Sequence, residues 1–174
     1  MSAPTSENPM RRIRVGKVVV NMAVGSSGER LLKAAQVLEK LTGQKPCFRR
    51  AKKTIKDFGI KKGESIACIV TLRRERALDF LKRALAAVGF KLRRSCFDPF
   101  GNFSFGIKEH INLPGVKYDP ALGIFGFDVC VSLERPGYRV KSRRRRRSSV
   151  GKGHIVTREE AWEFVERELG ATLV

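Results

Sequence analysis

Two runs of alternating apolar residues bracket an irregular stretch in the second half of this chain, and they restrict its fold more than any other feature. Phe103, Phe105 and Ile107 share one face of the first run, and Phe125, Phe127, Val129, Val131 and Leu133 share one face of the second. A period of two is what a strand with one buried and one solvated face shows. Parallel sheets are covered on both sides, so sharp alternation of this kind favours antiparallel pairing. The connection across residues 108–124 holds Pro114, Gly115, Pro120 and Gly123 and has no periodicity. A connection that long between two good strands is expected to be ordered and functional.

The rest of the chain interleaves strands with helices. Residues 13–24 read as a strand with Val18, Val20, Met22 and Val24 on its clean face. Ser26 and Glu29 have capping-box spacing ahead of a helix striped by Leu31, Ala34, Ala35, Leu38 and Leu41 and stopped by Gly43. SIACIVTL, residues 65–72, reads as a strand buried on both faces. A second helix, Arg74–Val88, carries Leu78, Leu81, Leu85 and Val88. The last helix starts at Thr157 with Glu160 three residues on, a second capping box, and has Ala161, Trp162, Val165 and Leu169 on its apolar side. The expected fold is α+β: two layers, a mostly antiparallel sheet of four or five strands, helices on one face, and long basic loops. Residues 1–12 are expected to be a flexible leader, and 13–174 a single domain.

The charge is lopsided. Against 17 Asp+Glu there are 36 Lys+Arg, a net charge of +19. Residues 157–174 hold five acids and two bases, a net of −3, so the remainder carries +22. A field of this sign implies a polyanionic partner, nucleic acid before an anionic membrane surface. The excess concentrates in two segments. Residues 44–63 hold eight basic residues and one acid, and residues 135–153 hold nine basic residues and none. Basic loops interleaved with Phe48, Phe58 and Tyr138 suit phosphate contacts with aromatic stacking on unpaired bases, although each aromatic could equally pack its loop onto the domain. The run Arg143–Arg147 would be disordered without a partner, and suits either RNA contact or nuclear import.

Other chemistries find little to build on. No phosphate-cradling glycine loop, HExxH, GxSxG or CxxC occurs, and neither a cofactor nor a metal is expected. Cys47, Cys68, Cys96 and Cys130 are widely spaced, and most sit in strand-like runs where a small buried side chain fits. His110, one of only two histidines, reads as a loop hydrogen-bonding residue. No apolar run reaches the roughly 20 residues of a membrane span, and Met1–Met10 lacks the core of a signal peptide. An enzyme is not expected.

Four stretches carry a family resemblance: VVVNMAVGSSGERLLKAAQVLEKLTGQKP (18–46), AKKTIKDFGIKKGESIACIVTLR (51–73), GNFSFGIKEHINLPGVKYDPALGIFGFDVCV (101–131), and RPGYRV with GHIVTREEA (135–140, 153–161). On these the chain resembles the universal large-subunit ribosomal protein number five, L-five in bacteria and L-eleven in eukaryotes, in its eukaryotic or archaeal form. The resemblance implies a place in the central protuberance of the large ribosomal subunit, bound to 5S rRNA and large-subunit rRNA. It puts Asn21, Gln44 and Thr71 at the 5S surface. It also implies that the loop Ala51–Gly63, through Lys52, Lys53, Lys56, Lys61 and Lys62, reaches P-site tRNA. With only Ile55, Phe58 and Ile60 to anchor it, that loop is expected to be mobile off the ribosome.

Basic residues beside these positions complete the expected rRNA contacts: Lys45, Arg49, Arg50 and Arg73, then Arg143, Arg144, Arg145, Arg146, Arg147 and Lys152. Protein neighbours in the central protuberance and a bridge to the small-subunit head are implied as well, with no homo-oligomer. The location implied is the cytoplasmic ribosome, with nuclear or nucleolar passage for a eukaryotic source. Where the family commonly has a small residue after V-T-L-R, this chain has Arg74–Glu75, and its arginine run is dense; both departures keep the charge. Two other classes stay open at this point: an assembly factor or RNA chaperone absent from the mature ribosome, and a basic architectural DNA binder.

Overall fold

The computed structural model describes residues 8–174. The first part of the expected leader lies outside the described residues, while Pro9–Arg11 form a single 3-10 turn capped by Asn8. Seven strands follow in chain order: β1 Arg14–Ala23, β2 Cys47–Arg50, β3 Ser65–Leu72, β4 Lys91–Leu92, β5 Phe103–Ile107, β6 Phe127–Glu134 and β7 Thr172–Leu173. The helices are α1 Glu29–Thr42, α2 Arg74–Ala87, the single turn α3 Arg139–Ser142, and α4 Arg158–Leu169. The main sheet has the order β2-β3-β1-β6-β5, and every neighbouring pair in it is antiparallel. This is the α+β architecture expected. A short parallel pair, β4–β7, lies apart from it.

The period-two runs explain the sheet's two sides. Val18, Val20 and Met22 of β1, Cys68, Val70 and Leu72 of β3, alternate residues Phe127 to Leu133 of β6, and Phe103, Phe105 and Ile107 of β5 form one buried face. Leu31, Ala34, Leu38 and Leu41 of α1 close over it, joined by Phe80, Leu81, Ala84 and Leu85 of α2. Phe80 meets Phe127 with ring centroids 6.3 Å apart. Ala161, Val165 and Leu169 of α4 extend the core beside Phe97, whose ring stands edge-on to Trp162. Each Val, Leu, Ile, Phe or Met among them, fully buried, is worth roughly 1.5–3 kcal/mol. Among the described residues, no helix lies over the other face of the main sheet.

Several local expectations are corrected. Residues 65–72 are not buried on both faces, because Ile69 and Thr71 lie on the uncovered side and are half-exposed. On α2, Leu78 is exposed and Phe80 takes its place in the core; both fall within a helical period of Leu81, and only the docking angle separates them. The capping box at Ser26 does not form. Gly28 is the N-cap of α1 at φ 104°, a conformation that favours glycine, and the Ser27 hydroxyl donates instead to the Glu64 carboxylate, a charged acceptor. The second box holds: Thr157 Oγ1 accepts from Glu160 N–H, and the Glu160 carboxylate accepts from Thr157 N–H. Of the cysteines only Cys68 is fully buried, which pushes its thiol up to about 11; Cys47 and Cys130 are exposed.

The long connection after β5 is ordered. His110 sits in a 3-10 turn, 4% exposed, and its N–H donates to Phe125 O at 2.9 Å. Phe125 N–H returns a bond to His110 Nδ1 at 3.3 Å. This pair ties the two ends of the loop together, and burial holds the imidazole below its ordinary pKa.

Candidate nucleic-acid interface

The register of the uncovered face brings sequence-distant polar residues into rows. Asn21 stands opposite Ile69 on one side and Asp128 on the other; Cys47 flanks Ile69, and Gly106 flanks Asp128. The adjacent row runs Thr71, Val19, Cys130, Ser104. Asn21 and Thr71 are therefore diagonal neighbours on adjacent strands, within reach of one ligand. Arg49 lies one row along, opposite Ala67, and extends this face with positive charge. Gln44 comes just after Gly43, the left-handed C-cap of α1, and three residues before Cys47 at the sheet edge. Among the described residues, the side chains of Asn21, Gln44 and Thr71 make no hydrogen bond, so their capacity is free for a ligand.

The second expected site is not a slack loop. Residues 47–50, read as part of a basic loop, form the edge strand β2 on β3. The pattern CFRR is too short and too charged to signal a strand, and its pairing is set by β3 rather than by its own residues. Beyond it, Ala51 N–H donates to Glu64 O at 2.8 Å and Gly63 N–H to Ala51 O at 2.9 Å. Lys62 N–H donates to Thr54 Oγ1 at 3.0 Å, and Ile55 and Ile60 exchange two backbone bonds. The Glu64 carboxylate accepts from Ser27 and from Lys61 N–H, which holds it below the usual carboxylate range. The result is a laced finger continuing the β2–β3 edge. Lys52, Lys53, Lys56, Lys61 and Lys62 are all exposed on it, and Phe58, 73% exposed, stands at its tip. Phe58 is therefore no anchor. Phe48 lies level with Cys68, on the helix side of the edge and away from the open face.

The third segment divides into anchors and free charge. Arg135 is buried: its Nε donates to Arg11 O at 3.0 Å, and its Nη2 to Glu160 Oε1 at 2.6 Å. Tyr138 is buried too. Its hydroxyl accepts from Val156 N–H at 2.9 Å and donates to His154 O at 3.2 Å, so of the two readings left open for Tyr138 the loop anchor is the one that holds. Lys141 covers the ring, its Nζ 4.2 Å from the centroid. Past α3, Arg143, Arg144, Arg145, Arg146 and Arg147 are all exposed. Arg146 is left-handed at φ 49°, and its carbonyl accepts from Arg143 Nε at 2.8 Å, which ties the Arg143 guanidinium back to the turn. Arg73 at the start of α2, Lys45 in the link before β2 and Lys152 in the 3-10 turn Lys152–His154 are exposed as well.

Sequence reasoning missed two contributors to the open face. Lys17, opposite Ser132, and Asp128 both point to the uncovered side. Parity along β1 and β6 carried that signal, since each alternates with core residues already identified.

Comparison with known proteins gives one family throughout. The family model "Ribosomal protein L5" matches residues 8–61, and the model of the same ribosomal family's C-terminus matches residues 65–164. The chain is 62% identical to the large ribosomal subunit protein uL5 of Pyrobaculum aerophilum, across 94% of this chain and 91% of that protein. It is 57% identical to that of Aeropyrum pernix, with 96% and 88% covered, and 47% identical to that of Nitrosopumilus maritimus, with 97% and 98% covered.

Proposed function

Because the chain belongs to the ribosomal protein L5 family, and so is a structural component of the large ribosomal subunit rather than a member of an enzyme class, we propose that its uncovered sheet face binds 5S rRNA. One observation carries this reading: Asn21 and Thr71, distant in sequence, meet on the open face, with Arg49 on the edge strand of the same face and Gln44 just before that strand. Short neutral side chains suit close contact with RNA backbone and 2′-hydroxyls, while Lys and Arg supply non-specific attraction. Lys45, Arg50, Arg73 and Lys152 add phosphate contacts around the rim. The arginines 143–147 reach large-subunit rRNA.

The finger of residues 51–63 carries the second part of the proposal, contact with P-site tRNA. Its lacing presents five lysines and an exposed aromatic ring without a large ordering cost on binding. Protein neighbours, including those of the small-subunit head, would meet surfaces that lack the basic excess, such as the 108–126 loop with exposed Tyr118 and Ile124. The assembly-factor alternative loses ground to the family itself. Import is likewise the weaker reading of the arginine run, since the relatives named above are archaeal.

The test is direct. Replacing Asn21, Gln44 or Thr71 singly by Ala should weaken 5S rRNA binding by about 1–3 kcal/mol each, with circular dichroism unchanged. Unaltered affinity in all three would sink the assignment. Crosslinkers placed at Lys52, Lys53 and Lys56 should capture tRNA in ribosomes with a filled P site.

A further inference from the structure

The uncovered sheet face holds a depression of about 500 Å³, bounded by Asn21 and Ala23 of β1, by Gly106–Lys108, and by Gly126–Asp128. Its most unusual member is Asp128. The chain carries +19, and this carboxylate stands exposed on the face that binds RNA in the reading above. Glu134, the other acid of β6, is paired with Arg14 at 3.3 Å. Asp128 has neither ion pair nor hydrogen bond among the described residues, although Lys108 borders the same depression. An unpaired carboxylate repels RNA phosphates, so a purely electrostatic surface has no use for one here.

A carboxylate is an acceptor only, with two oxygens side by side. It therefore selects a neutral group that offers two adjacent donors. Among the bases, guanine has this arrangement on its Watson–Crick edge, N1–H beside the N2 amino group. Gly106 keeps the approach open, since a Cβ there would come within 3.3 Å of the Asp128 carboxylate. Gly126 lets the Lys108 carbonyl pack close beside the depression, 2.7 Å from where a Cβ would stand. Asn21, opposite Asp128 in the register, supplies an amide for the remaining polar atoms of a base. Resting on the proposed RNA-binding role of this face, we infer that the depression between Asn21, Asp128 and Gly106 holds one unpaired guanine, with Asp128 accepting from N1–H and N2–H.

Charge makes the test sharp. Asp128→Asn keeps the shape but exchanges one acceptor oxygen for a donor. On electrostatics alone it should bind every RNA more tightly. If Asp128 reads a guanine, it should bind 5S rRNA about 10–100-fold more weakly while binding a uridine-only oligonucleotide as well or better. Kethoxal, which modifies guanine at N1 and N2, reads the contact itself. With the wild-type protein one guanine of 5S rRNA should be protected, and with Asp128→Asn it should become reactive again. Gly106→Ser, which crowds the carboxylate, should release the same guanine. If the wild type shows no preference for 5S rRNA over unrelated RNA, the functional reading falls and this inference with it. If the wild type binds 5S rRNA but no guanine is protected, or protection survives Asp128→Asn, the guanine site alone is overturned.

Discussion

The finger at residues 51–63 and the segment at 135–153 look alike as sequence: both are basic, both contain aromatics, both sit between well-marked elements. Their physics differs. The finger is held by its own backbone, through Ala51, Thr54, Ile55 and Ile60, and leaves its aromatic, Phe58, in solvent. The 135–153 segment is held by its side chains. Arg135 and Tyr138 are drawn into the domain, and the charge that remains is concentrated in five successive arginines. Positive charge in a sequence thus covers two kinds of residue, buried anchors and solvent-exposed charge, and burial separates them within one segment.

The largest expected effect tests the free half of the second segment. Replacing Arg143–Arg147 together with Ser should flatten the dependence of log affinity on log salt by about 3–4 for 5S-containing rRNA, at roughly 0.7–0.9 per phosphate neutralised. Thermal stability should hardly move, since exposed substitutions usually stay within about 0.5 kcal/mol. Preference for cognate over unrelated RNA should be retained, because phosphate contacts carry no sequence information. An unchanged slope would remove the RNA-contact reading of the run.

Arg135 should give the opposite pattern. Its side chain is 7% exposed and pairs with a Glu160 side chain that is 38% exposed. Arg135→Ala breaks that pair and the bond to Arg11 O, and also strips a partner from the acid that completes the α4 capping box. A loss on the order of 3 kcal/mol is expected in denaturant unfolding, below the upper range for fully buried pairs because Glu160 keeps water access. The salt slope of RNA binding should be unchanged for the folded fraction. If Arg135→Ala altered the slope and spared stability, the division between anchor and free charge would be misplaced.

Phe58 sharpens the comparison from the side of the finger. An aromatic that stacks on a base contributes about 1–3 kcal/mol by alanine substitution, whereas one that anchors a loop costs stability when removed. Phe58→Ala should weaken tRNA retention in the P site by that amount and leave the unfolding midpoint in place. Tyr138→Phe, its counterpart in the other segment, should lower stability by about 1–2 kcal/mol through the unsatisfied Val156 N–H, and leave RNA binding alone.

The legibility of these features follows their physical origin. The strands β1, β5 and β6 were readable because a half-buried sheet writes its burial directly into alternation. The capping box at Thr157 was readable because Thr and Glu meet within one helical turn. Edge strand β2 was not, since CFRR pairs only because β3 presents a free edge to it. Leu78 and Phe80 could not be ranked from period alone. Among the candidate contact residues, Asn21, Gln44 and Thr71 came from family resemblance; nothing in their local sequence marks them. The meeting of Asn21 and Thr71 on one face became visible only with the register. Nothing local marks Asp128 either; only the register, which sets it opposite Asn21, singles it out.

The smallest expected effect concerns the latch at the base of the finger. Glu64 accepts from the Ser27 hydroxyl and from Lys61 N–H, and these bonds favour its charged form and lower its pKa from 4.5. A carboxylate with a depressed folded pKa contributes stability that is fully present above its unfolded pKa and is lost as pH falls through the folded value. The latch should therefore be constant from neutral pH down to about pH 5 and loosen below that, in the window beneath 4.5. Ser27→Ala removes the largest cause of the shift, so Glu64 should titrate nearer to 4.5 when its carboxyl carbon is followed by NMR. At neutral pH the same variant should speed hydrogen exchange at the Ala51 and Gly63 amides, which close the base of the finger, and leave the amides of residues 135–153 as they were. Faster exchange in both segments, or in neither, would mean that the finger is not held where the hydrogen bonds place its hold.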